Sequence, residues 1–236
     1  MNLAYYLPQF HPLAINDEVW GKGFTEWTNV AKMKPLFKGH YQPKVPADLG
    51  FYDLRLSDTI VAQAKLANEF SIEGFVFWSY FFSKEDVLME RPLEIFAADE
   101  RIDAKFALAW ANHDWTGIWN NEPKKMIKEL VYYDGIYSDF VDHYAKYFQN
   151  ERYVLVDDKP LLVVYRPLDI PNLEIFRSKL RDAAKKLGFV DFYLVGIAKS
   201  TRELELMEAS SLFDGINLFN LQEGIHQKLS LIGFVK

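Results

Sequence analysis

The chain has 236 residues, a net charge of −6 and an isoelectric point near 5.4. That acidic balance gives no electrostatic footprint for nucleic acid or anionic lipid, and the absence of cysteine excludes disulfides, thiolate zinc sites and a cysteine nucleophile. No apolar run is long enough to span a bilayer, and the N-terminus lacks the basic start and apolar core of a secretory signal, so the cytoplasm is the simplest address.

Hydrophobic residues make up 50% and charged residues 25%, the composition of an ordinary globular protein, and the length suits one domain over residues 1–236. Aromatic residues reach 16%. That is high, and it points to ligand surfaces or a very large core.

In chain order, Ala4-Tyr5-Tyr6-Leu7-Pro8-Gln9-Phe10-His11-Pro12 opens as a strand. Residues 16–30 follow without helical or strand period, carrying Trp20, Phe24, Glu26 and Trp27, and the segment closes on Pro35 to Pro43 with Phe37, His40 and Tyr41. Long loops inside compact domains are usually functional or disordered, and disordered segments are poor in aromatics. The loop therefore reads as an ordered surface of flat apolar faces edged by hydrogen-bonding groups. Such a surface suits a sugar ring, whose C–H face stacks on an aromatic while its hydroxyls meet donors and acceptors. The competing reading is that these rings plug one end of the domain.

A helix is expected over Leu54 to Phe70, where Leu56, Ile60, Ala64 and Ala67 fall at helical spacing. Gly74 to Phe82 is a nearly continuous apolar run, the pattern of a strand covered on both faces. A helix near Pro92 to Ala98 leads to a third strand, Phe106 to Asn112, which runs into His113-Asp114-Trp115. Ser138 is placed to cap a helix through Phe148, and Asp157 to Pro160 is a turn before the fourth strand, Leu161 to Arg166. Asn172 caps a helix ending at Gly188, Phe192 to Ile197 is the fifth strand, and a polar helix from Arg202 to Ala209 precedes the sixth, Gly215 to Asn220.

Alternating strands and helices predict an α/β fold with a parallel sheet. No glycine-rich phosphate turn follows a strand, which disfavours a nucleotide-binding doubly wound sheet. Polar and aromatic residues gather where strands end: Gln9 and His11, Ser79 and Tyr80, Asn112 to Trp115, Arg166, Lys199 and Asn220. Strand ends that share one site are the mark of a (β/α)₈ TIM-type barrel. Six βα units are visible, and the tail from Leu221 to Val235 gives no clean strand-helix-strand, so an incomplete barrel is expected.

Glycosidic bond cleavage needs two carboxyl groups facing each other across the bond. Glu26 and Asp114 are the leading candidates, with Asp17 and Glu18 behind them, though each also reads as a capping carboxylate, and no spacing forces a pair together. Five histidines, His11, His40, His113, His143 and His226, form no ligand-spaced cluster, so no metal is expected. No cofactor motif appears.

The quoted segments carry a resemblance. The first-strand block, Trp20-Gly21-Lys22-Gly23-Phe24-Thr25-Glu26-Trp27-Thr28-Asn29-Val30, Gly39-His40-Tyr41-Gln42-Pro43 and Asp48-Leu49-Gly50-Phe51-Tyr52-Asp53-Leu54-Arg55 resemble the WbsX, or glycoside hydrolase family 99-like, proteins. Trp110-Ala111-Asn112, Trp115 and Lys159 to Pro167 continue the match. The resemblance implies a (β/α)₈ barrel acting on carbohydrate of bacterial surface polysaccharide (O-antigen or capsule), as a glycosyltransferase or a retaining endo-α-mannosidase-like hydrolase. It implies that Tyr5 and Tyr6 of the first strand, with Trp110 and Asn112, face the sugar. His113 and Asp114 stand where family members commonly have Glu-Asn, and no late Asn-Glu-Trp-Ala-Glu-Gly block is present before Lys236. The missing strands and missing carboxylates together predict a chain lacking the C-terminal part of the barrel, and a non-catalytic carbohydrate-binding remnant is the alternative to an enzyme. The expected sugar-binding residues are Tyr5, Tyr6, Gln9, His11, Trp20, Glu26, Trp27, His40, Tyr41, Trp78, Trp110, Asn112, Trp115 and Arg166. The expected partner is an oligosaccharide or polysaccharide.

Overall fold

A computed structural model describes residues 1–117 and 122–219. Strand β1 (Leu3–Tyr6) is followed by helices α1 (Ala14–Trp20), α2 (Glu26–Lys32) and α3 (Ser57–Glu69). Next come β2 (Gly74–Ser83), β3 (Asp86–Leu88), α4 (Arg91–Ala98), β4 (Lys105–Trp110), β5 (Trp115–Gly117) and β6 (Glu122–Lys128). The chain continues through α5 (Ile136–Phe148), β7 (Leu155–Val156), β8 (Lys159–Val164), α6 (Leu173–Lys186), β9 (Tyr193–Ala198), α7 (Thr201–Ser210) and β10 (Gly215–Leu218). Among the described residues no helix is long and apolar enough to cross a membrane.

The main sheet runs β1-β2-β4-β8-β9-β10, and every neighbouring pair on that path is parallel. This is the βα order of a TIM-type barrel wall, incomplete over the described strands. The wall is curled. At ordinary strand spacing, six flat strands would hold the first and last about 24 Å apart. Instead the Asn217 side chain on β10 donates a hydrogen bond of 2.8 Å to the Tyr5 hydroxyl on β1. The sixth expected strand is present as far as Leu218, whereas Asn220 and the tail from Leu221 lie outside the described residues.

Strand alternation assigns the two faces. Register pairs Tyr5 with Val76, Trp78 with Ala109, and Val163 with Val195, so these positions and their alternates line the concave interior. The intervening residues, Phe77, Phe106, Leu108, Trp110, Leu162 and Leu194, face the helices. There they join Phe96, Phe140, Tyr144, Phe148 and Phe176 in one buried cluster. The unbroken apolar pattern of the strands follows, because both faces are covered.

Three local expectations change, and the expected turn at Asp157 is met. Residues 16–30 are not an irregular loop: they hold α1 and α2, each only seven residues long. Two turns are too few to display a helical period. The first strand ends at Tyr6 rather than Pro12, since Pro8 has no N–H for a ladder. Helix α5 begins at Ile136, not after Ser138, with Gly135 at φ 97° in the left-handed region ahead of it. The Asp157-Asp158 turn has both residues at positive φ, 50° and 59°, and closes the small hairpin of β7 on β8.

Close approach explains Gly74, at the start of β2. A Cβ there would lie 2.3 Å from the Lys105 carbonyl oxygen, a backbone atom that cannot step aside. Gly74→Ala is therefore expected to lower stability by about 1–3 kcal/mol, the usual cost of overpacking. Denaturant unfolding of the two proteins measures it.

Candidate functional site

A cavity of about 540 Å³ opens at the C-terminal ends of β1, β2, β4 and β8. Its lining includes Gln9, Tyr80, Asn112, His113, Asp114, Trp115, Tyr132, Tyr165, Arg166 and Asp169. Its Tyr165 ends a row of inward-facing rings from β1, β2 and the end of β8. Tyr5 stacks on Trp78 at 5.0 Å and 13° between planes, and Trp78 meets Tyr165 edge-on at 5.1 Å.

Asn112 fixes the rim. Its Oδ1 accepts from the Arg166 N–H at 2.8 Å, while its Nδ2 donates to the Arg166 carbonyl at 2.8 Å and the Tyr132 hydroxyl at 3.0 Å. This reciprocal pair ties the end of β4 to the end of β8. Asp114 lines the cavity, and its Oδ1 accepts the Leu130 N–H at 2.8 Å. Asp169 pairs with Arg166 at 3.2 Å. His113 Nδ1 lies 2.7 Å from the Asp114 carbonyl oxygen. Burial, aided by the fields of Arg166 and Lys199, pushes the His113 imidazole below its ordinary pKa despite that contact.

The segment after β1 packs against this rim, with Leu13 and Ile15 against Tyr80, Ala111 and Trp115. It concentrates buried polar groups. Gln9 Nε2, His11 Nδ1, both side-chain atoms of Asn16, Glu26 Oε1 and Asn29 Nδ2 are buried without a protein partner. Burial raises the Glu26 carboxyl above the usual carboxylate range, with Asn29 opposing. Burial likewise lowers His11. Glu26 lies close enough to Tyr80 to push that phenol up further, but it does not itself line the cavity.

The structure divides the sequence candidates. Gln9, Asn112, Asp114, Trp115 and Arg166 line the cavity, whereas Tyr5 and Trp78 lie outside its lining, stacked on each other and joined to it through Tyr165. Tyr6 does not reach it: one residue out of phase with Tyr5, it is buried and donates to Gln63 Oε1 at 2.6 Å. Trp110 is 1% exposed, its ring packed on Phe140 and Phe176 and its Nε1 bound to the Phe81 carbonyl. That ring has no open face. Trp27 is wedged between Phe10, Phe51 and Tyr52 and anchored by Nε1 to the Tyr52 carbonyl at 2.8 Å. Trp20 packs on Phe24, His40 stacks on Phe37, and Tyr41 is exposed beneath Lys44. Asp17 Oδ1 accepts the Gly23 N–H at 2.8 Å, and Glu18 is exposed. Tyr165 and Tyr132 also line the cavity and are not among the sequence candidates. For Tyr165 the signal was available, since it continues the inward phase of Leu161 and Val163.

The family model of Glycosyltransferase WbsX matches residues 2–231, and the chain belongs to that family. It is 41% identical over 192 residues to protein WxcX of Xanthomonas campestris pv. campestris, in strains B100 and ATCC 33913, covering 81% of this chain. The chain spans 28% of the length of those curated relatives. Two solved structures of the GH99 endo-alpha-mannosidase from Bacteroides thetaiotaomicron share the fold. One, with BIS-TRIS-propane, aligns at TM-score 0.52 and 15% identity over 92% of this chain and 58% of that one. The other aligns at 0.53 and 16% over 91% and 60%.

The raised Glu26 carboxyl gives a sign-definite pH effect. Folding favours its neutral form, so the native state binds more protons than the unfolded chain once pH exceeds the ordinary value of 4.5. Stability from this group is then present at lower pH and lost as pH rises through the raised native value. Glu26→Gln should raise the melting temperature at pH 7–8 relative to the parent and change it far less at pH 4, as thermal scans across that range will record.

Proposed function

We propose that this chain is the sugar-binding wall of a carbohydrate-active enzyme that works on glycosidic bonds of bacterial surface polysaccharide. The observation that carries the reading is the Tyr5–Trp78–Tyr165 row of inward-facing rings, which joins at Tyr165 a cavity lined by Gln9, Asn112, Asp114 and Arg166. Flat rings accept the C–H face of a pyranose, and the rim supplies donors and acceptors in the plane of its hydroxyls. Family membership and the GH99 endo-alpha-mannosidase fold support the same reading.

Hydrolysis is the leading chemistry in this reading, with Asp114, a carboxylate of the cavity lining, as the candidate to act on a bond bound there. Glu26, close to Tyr80 but outside the cavity lining, stays in the second rank. Sugar transfer is the second reading, favoured by the family's description as a glycosyltransferase. The two are separated by the donor: a hydrolase releases reducing ends from an α-mannan oligosaccharide unaided, whereas a transferase forms product only with an activated sugar. A binding wall without bond chemistry would do neither yet still bind sugar, which suits the engagement of Asp114 with Leu130 and of Asp169 with Arg166.

Two outcomes test this. Trp78→Ala should weaken oligosaccharide binding about fivefold, the ~1 kcal/mol scale of a ring contact, in titration calorimetry, and unchanged affinity would remove the row of rings from the proposed site. Asp114→Asn should cut reducing-end release by roughly 10²-fold or more if Asp114 transfers a proton, with binding retained.

A further inference from the structure

Beside the first cavity lies a second, of about 240 Å³, sharing Tyr165, Arg166 and Asp169 with it and adding Ile197, Lys199 and Glu203. The phase of β9 continues inward from Val195 and Ile197 to Lys199, as that of β8 continues to Tyr165. Three nitrogen groups consequently surround one phenol ring. Lys199 Nζ sits 3.9 Å from the Tyr165 ring centroid, the His113 ring 5.2 Å from it, and the Arg166 guanidinium carbon 6.0 Å. Such crowding is unexpected in a chain of net charge −6.

Two carboxylates share this lining and offset part of that charge, but neither is paired with the Lys199 ammonium. Asp169 is paired with Arg166, and Glu203 Oε2 accepts the backbone N–H of Lys199 at 2.7 Å. Lys84, Lys128 and Lys159 each hold an aspartate, with Asp139, Asp86 and Asp214 respectively. Lys199 makes no carboxylate ion pair among the described residues and is held by the ring face alone. Helix α7, capped by Ser200, starts immediately after it, so the positive end of that helix adds to the field. A neutral sugar would not require an ammonium kept in this position. A negative group would: both cations can donate charge-assisted bonds to it.

We propose that Lys199 and Arg166, gathered around Tyr165, form a subsite for an anionic group on the sugar ligand, a uronate carboxylate or a phosphate. This rests on the carbohydrate reading of the neighbouring cavity and specifies which sugars it takes. A carboxylate means an acidic polysaccharide chain, and a phosphate means an activated sugar.

Calorimetric titration with a neutral mannose disaccharide, a glucuronyl-mannose disaccharide and mannose 1-phosphate tests it at two salt concentrations. The expected result is that one charged probe binds more tightly than the neutral one, with an advantage that shrinks as salt rises. Lys199→Met should reduce that probe's affinity about tenfold and leave the neutral probe unaffected, while Lys199→Arg should restore most of the loss. The probe that shows this pattern identifies the source of the charge. Binding of the neutral disaccharide with no preference for either charged probe, or an equal effect of Lys199→Met on all three, would overturn the subsite and leave the carbohydrate reading standing. Absence of binding by all three would overturn both.

Discussion

Everything at the candidate site depends on the alternation of side chains along a curled parallel sheet. Because successive residues point to opposite faces, each strand must satisfy two environments at once. On the convex face Phe77, Phe106, Leu108, Trp110 and Leu162 pack against α3 to α6 in one buried cluster. On the concave face Tyr5, Trp78 and Tyr165 come together from strands that are separated by long helical crossovers. The helices hold the curl, and the curl brings Asn217 to Tyr5 across the interior. Flattening the sheet would leave the same residues on the same faces but too far apart to share a ligand.

The rim adds a second constraint. A buried polar atom without a partner typically costs about 1–3 kcal/mol, and most protein interiors contain few. Here the segment from Gln9 to Asn29 gathers several, next to strand ends that are themselves locked by the Asn112 bonds to Arg166. A stretch folded only for stability would bury apolar atoms at these positions. Of these residues Gln9 reaches the cavity lining, while His11, Asn16, Glu26 and Asn29 lie elsewhere in the same segment.

Within the site, charge is unevenly distributed. The row of rings is neutral and aromatic, while the β8–β9 side carries Arg166, paired with Asp169, and Lys199 against the Tyr165 ring. The depressed imidazole of His113 reflects its burial and the same positive field.

Much of this was legible in the chain itself. The six parallel strands stand out because continuous apolar runs such as Gly74 to Phe82 are what two covered faces demand, and Asn172 and Gly188 mark the ends of α6 by their capping chemistry. The importance of strand ends also followed, since Gln9, Asn112, Asp114, Trp115 and Arg166 do line one cavity. What the sequence could not decide was which aromatic of a strand faces the ligand. Tyr5 and Tyr6 are equally aromatic neighbours, and Trp110 sits beside Asn112, yet Tyr6 and Trp110 belong to the core. A period of two says that adjacent residues point opposite ways, but the choice of interior side depends on which face the helices cover and which way the sheet curls. Those are properties of the assembled wall, and only the tertiary structure sets them.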